Sequence, residues 1–178
     1  MAPLDAHVRF LEAHGAATLA HTDTGLLAHL RGVHALLEAW GARAAVRDAG
    51  LFHSVYGTES YGAAALPLAL RDEVRARIGA EAERLAWLFG VLAKASLYAN
   101  LGRPGPAWVE DRLTGARVDL DGTEFADLCD LTVANWLEQR PRARPEHRFL
   151  RREELAAMRP HLLPAGRAAL DAAYGFAP

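Results

Sequence analysis

The chain has 178 residues, about half of them apolar, with 20 basic and 22 acidic side chains and a net charge of -2. That length supports one domain, 1–178, with a proper core, and the apolar content excludes a disordered chain. The charge balance argues against nucleic acid as a bulk partner, and without a run of about 18 apolar residues no membrane partner is expected.

Helical periodicity dominates from the N-terminus onward. A first helix is expected over Leu4 to His14. His21 to Thr24 then offers capping residues for a second helix, whose stripe is Leu26, Leu27, Leu30, Val33, Leu36, Leu37 and Trp40. Gly41 suits its C-terminal cap. A third helix is expected from about Ala42 to Val55, stopping at Gly57. Ser60 to Leu70 reads as a loop or short helix. Arg71 to Ile78 and Ala82 to Ala99 read as helices, and GRPGPAW ends the second of them.

WVEDRLTGARVDLDG reads as a β-hairpin turning at Thr114-Gly115, near residues 108–120. Asp121 to Thr123 caps a strong helix from Glu124 to Gln139. Two short helices, Arg151 to Met158 and Ala165 to Tyr174, finish the chain, with Pro164 suited to a first turn. The fold class is therefore all-α, a compact helical bundle with one small hairpin.

The single cysteine, Cys129, excludes an internal disulfide framework and suits a reducing cytoplasm, the expected location. The N-terminal residues lack the basic and apolar regions of a secretory signal. Arginine is abundant and lysine occurs once, at Lys94, a bias seen in high-GC bacterial coding.

Each residue advances about 100° around a helix. On the second helix His29 shares rows with Leu26, Val33 and Leu36, at one flank of the stripe, and His34 lies at the other. On the third helix His53 shares a face with Val46, Ala49 and Gly50, small enough for a neighbour to approach closely. On the late helix Asp130 lies with Val133, Ala134 and Leu137, and a buried acid must be compensated. Two inward histidines and one inward aspartate suggest a divalent metal, Mn, Fe or Zn. Asp127, one turn before Asp130, is the competing carboxylate. The plain alternative is that these are satisfied core or rim residues with no metal.

These stretches resemble the HD-domain superfamily of helical metal-dependent phosphohydrolases. AGLFHSVYGTE is similar to the superfamily's ALLHD stretch, nearest to the alarmone-hydrolase form, and LCDLTVANWLEQ is similar to that group's later helix. The likeness spans roughly residues 24 to 140. It implies an HD-like bundle with His29, His53 and Asp130 as metal ligands and Asn135 beside them. One position departs: Ser54 stands where the family has the aspartate of the His-Asp pair. The expected arrangement is then one ion on His29, His53 and Asp130, or Glu59 as a replacement carboxylate.

Around such an ion Glu59 is the candidate general acid or base. Tyr56, Thr58 and Ser54 complete the candidate catalytic set, and Asn135, His34 and Arg103 are candidates for holding substrate, with Arg148, Arg151 and Arg152 as alternatives to Arg103 for a phosphate or carboxylate. The leading function is a metal-dependent hydrolase of a small phosphorylated or nucleotide metabolite. Its competitors are a non-haem iron oxygenase, or other non-hydrolytic enzyme, on a small metabolite in a biosynthetic pathway, and a catalytically inactive small-molecule binding module. Phosphate-binding GxxxxGK, GxGxxG, GxSxG and HExxH motifs are absent.

Overall fold

The computed structural model describes residues 3–19 and 25–177; the expected cap at His21 to Thr24 lies outside them. The described residues form nine α-helices and one two-stranded hairpin. Helix α1 (Pro3–Ala13) precedes α2 (Leu26–Ala39). On α2 the predicted stripe is the buried face, with Leu26, Leu30, Val33 and Leu37 wholly inaccessible. Gly41, at φ +76°, turns the chain out of α2 through the left-handed region that glycine tolerates.

Helix α3 (Ala44–Phe52) ends earlier than expected. Its last turn tightens: Val55 N–H donates to Phe52 O, Gly57 N–H to Ser54 O, and the His53 ring to Gly50 O. The segment from His53 to Thr58 therefore leaves the helix axis as a buried turn. It lies against Gly90 of α5 (Ala80–Val91), where an added Cβ would stand 3.0 Å from the Gly57 carbonyl oxygen.

Helix α4 is Arg71–Ile78. The single helix expected over 82–99 is instead two, α5 and α6 (Lys94–Tyr98). The break has a tertiary cause: Ala93 N–H donates to Glu110 O and Arg112 N–H to Val91 O, so the hairpin takes the hydrogen bonds a helix would have used. The hairpin pairs β1 (Ala107–Glu110) with β2 (Arg117–Leu120), antiparallel, with Val109 opposite Val118. Helix α7 (Gly122–Gln139) opens with a capping box between Asp121 and Glu124. Helices α8 (Arg152–Met158) and α9 (Pro164–Tyr174) close the fold. No helix among the described residues is long and apolar enough to cross a membrane.

Helix α2 packs on both α3 and α7, and α3 packs on α5. One apolar cluster gathers Val33, Leu37, Leu128, Leu131 and Leu170; a second gathers Phe10, Leu30, Phe52 and Val74. At the α2–α3 crossing a Cβ on Gly50 would come within 2.5 Å of Leu37 Cδ1 and 3.4 Å of Val33 Cγ1. The missing side chain is what lets the two helices approach so closely. Gly50→Val should overpack this crossing and lower stability by about 1–3 kcal/mol, read as a lower urea midpoint at unchanged slope; an unchanged midpoint would show that the crossing has room to spare.

Candidate functional site

Helix α2 carries His29 to its buried face, the end of α3 carries His53, and α7 carries Asn135. The three meet. His29 Nε2 lies 3.2 Å from His53 Nε2 and 3.1 Å from Asn135 Oδ1, and His53 Nε2 lies 3.0 Å from the same oxygen. Both rings are wholly inaccessible to solvent. The edge of Phe89 packs on His53, ring centroids 4.9 Å apart.

The far nitrogens fix the tautomer of each neutral ring. His53 Nδ1 is 2.7 Å from the Gly50 carbonyl, and His29 Nδ1 is 2.5 Å from Glu138 Oε2. A carbonyl and a carboxylate only accept, so both Nδ1 atoms carry hydrogen. In the neutral rings each Nε2 is then a lone pair. Burial alone would raise the Glu138 carboxyl, but the hydrogen bonds from His29 and Arg142 and the charge of Arg142 outweigh it and hold the group below its ordinary value. Gln139 Nε2 donates to Asn135 Oδ1 at 3.1 Å, which turns the amide oxygen toward the imidazoles.

Three lone-pair-bearing atoms at such distances repel one another unless a proton or a cation lies among them. Their spacing is that of neighbouring ligands around an ion bound at about 2.0–2.2 Å. A carboxylate on the outer nitrogen is also the usual support of a metal-ligating histidine. The donor set thus fits a divalent cation, with an amide oxygen as third ligand. Among the described residues no three His, Cys, Asp or Glu side chains gather as a metal-holding group.

Asn135 and Ser54 also line a cavity of about 280 Å³, walled by Phe89, Tyr61, Tyr98 and Trp136. Lys94 and Arg151 enter the same cavity. The Lys94 ammonium donates to Ser60 Oγ at 2.5 Å. Burial lowers its pKa, with Glu59 opposing that shift and Arg151 adding to it. Thr132 lines the cavity too; its hydroxyl is buried and without a hydrogen-bond partner among the described residues.

The remaining sequence candidates separate. Ser54 and Thr58 line the cavity, and Glu59 lies at its rim, its Oε1 3.3 Å from Lys94 N. The placement of the others corrects the expectation. Asp130 is buried, but Oδ1 accepts from Leu163 N at 3.0 Å and so docks the start of α9 rather than joining the histidines. Asp127 pairs with Arg43. Tyr56 donates to Glu83 Oε1 at 3.3 Å, in a buried network with Arg71. His34 lies among Glu38, Asp48 and His7, and burial lowers its pKa. Arg103 is exposed and lines a separate cavity beside the hairpin.

Of the arginines read as phosphate candidates, Arg151 is the one that lines the cavity. Sequence reasoning passed over Glu138 and Gln139, for which the helical spacing with Asn135, three and four residues on, was a usable signal. Arg151 owes its position to a left-handed backbone, φ 56°, which sequence does not advertise.

Residues 10–94 match the model of a domain of unknown function, DUF6817. The match spans just under half of the chain and includes both histidines, though not Asn135 or Glu138. No curated protein and no solved structure matches the chain.

Asp130 yields a signed prediction. Burial raises its carboxyl to about 6, against the opposing hydrogen bond from Leu163 N. A raised acid contributes stability that is full below its unfolded pKa, about 4, and is lost as pH climbs through about 6. Asp130→Asn should therefore remove a decline in urea midpoint between pH 4.5 and 7.5 while keeping the acceptor for Leu163. An unaltered pH slope would contradict this.

Proposed function

We propose that the protein is a metal-dependent hydrolase of HD type acting on a small phosphorylated metabolite. The observation that carries this reading is the His29–His53–Asn135 cluster: two imidazoles with their outer hydrogens committed, aimed with an amide oxygen at one point beside a cavity. His29, His53 and Asn135 would hold the ion. Glu138 fixes the tautomer and angle of His29, and the Gly50 carbonyl does the same for His53. A divalent cation supplies Lewis acidity and makes hydroxide available near neutral pH when bound.

The chain's own residues do the rest. Phe89 covers His53 and excludes water from that side. Ser54 and Thr58 offer hydroxyls to the substrate from the cavity wall. Lys94 and Arg151 set positive charge where a phosphoryl group gains negative charge during transfer. Glu59, at the rim, is placed to exchange a proton with a leaving group.

Protein purified without chelator should carry about one equivalent of Mn or Zn by elemental analysis. His53→Ala and Asn135→Ala should lose it with helical circular dichroism intact, and unchanged metal content in both would defeat the reading. Iron with oxygen-dependent turnover would favour an oxygenase instead, and failure to take up Mn, Zn or Fe would leave only a binding module.

Glu138→Gln keeps the shape but loses the charge behind His29. It should weaken cation affinity about 10- to 100-fold, measured by competition with a chromogenic chelator. Equal affinity in the variant would show that Glu138 does not tune the cluster.

A further inference from the structure

We infer that the cavity's ligand is a small phosphate monoester with an apolar body, its phosphoryl group held by Lys94 and Arg151. This rests on the proposed reading of the cluster beside Asn135 and adds the class of substrate to it.

Lys94 is the first reason. The chain has 20 basic residues, and Lys94 is its one lysine. Everywhere else the sequence uses arginine, yet one of the two cations that line the cavity is an ammonium. Its compact ammonium donates to Ser60 Oγ, a cavity-lining hydroxyl. Arg151 supplies the second cation. Its guanidinium lies 5.1 Å from the Tyr98 ring centroid and 4.0 Å from Glu154, so the aromatic face and the carboxylate both bear on its position.

Charge and size then select the ligand. Two cations line the cavity, with Glu59 beside Lys94 and Glu154 4.0 Å from Arg151, which leaves too little positive charge for a polyphosphate. The walls beyond the cations are aromatic: Phe89, Tyr61, Tyr98 and Trp136. They favour an apolar or aryl body. A cavity of about 280 Å³ holds on the order of fifteen non-hydrogen atoms at the packing density of protein interiors. That matches an aryl or short alkyl phosphate and is smaller than a nucleoside diphosphate.

The test uses the full chain stripped of metal with EDTA, so that binding is read apart from catalysis. Phenyl phosphate, phenol, benzoate and ADP are titrated by calorimetry. Phenyl phosphate should bind at least tenfold tighter than each of the others, and Lys94→Ala and Arg151→Ala should each weaken it at least tenfold. An acetylating reagent gives a second readout that needs no variant. Peptide mapping separates Lys94 from the N-terminal amine, and saturating phenyl phosphate should slow acetylation of Lys94 at least fivefold. Phenyl phosphate binding no tighter than phenol, benzoate or ADP, or an unchanged acetylation rate, would overturn the inference. Neither result touches the metal reading, which stands or falls on the metal content of the cluster variants.

Discussion

The site depends on where two hydrogens sit. Because Glu138 and the Gly50 carbonyl claim the Nδ1 hydrogens of His29 and His53, the Nε2 lone pairs have only inward directions to point. Arg142 keeps Glu138 charged, and a charged Glu138 keeps His29 in the useful tautomer. Gly50 acts twice. Its missing Cβ permits the close crossing of α2 and α3, and its carbonyl orients the ring that the crossing brings into place. A substitution there would disturb packing and chemistry together.

Much of the surrounding polar structure serves to place that cluster rather than to join it. Asp127 ties α7 to Arg43, and Asp130 ties α7 to the backbone just before α9. Glu83 is wholly inaccessible and gathers Arg71, Arg75 and Tyr56 on the far side of α3. A lone buried carboxylate is costly, so each has drawn a partner from another element. These acids hold the bundle together around the cavity. The hairpin contributes similarly: by taking the backbone bonds of Val91 and Ala93 it ends α5, and the chain restarts at Lys94 directed into the cavity.

The helices were legible because the apolar stripes are strong and glycine or proline marks most of their ends. The break at Leu92 was not, because its cause is a hydrogen-bonding strand 19 residues downstream, as in the Leu92–Asp111 bridge. His29 and His53 were legible as inward-facing side chains on apolar rows. The choice of Asp130 failed on angle. It stands five residues before Asn135, about 140° around the helix, so the two cannot share a face. Asp127 fails on rise, about 12 Å along the axis from Asn135. Glu138 and Gln139 lay on the correct side of the same helix, but a carboxylate that braces a ligand looks in sequence like any solvated one.

The most direct measurement is long-range proton–nitrogen correlation spectroscopy of the histidine rings, with Zn²⁺ added as a diamagnetic probe. Metal-free protein should show His29 and His53 with hydrogen on Nδ1, and one equivalent of Zn²⁺ should move both Nε2 resonances together. Rings carrying their hydrogen on Nε2, or Nε2 signals indifferent to the ion, would contradict the account at its root.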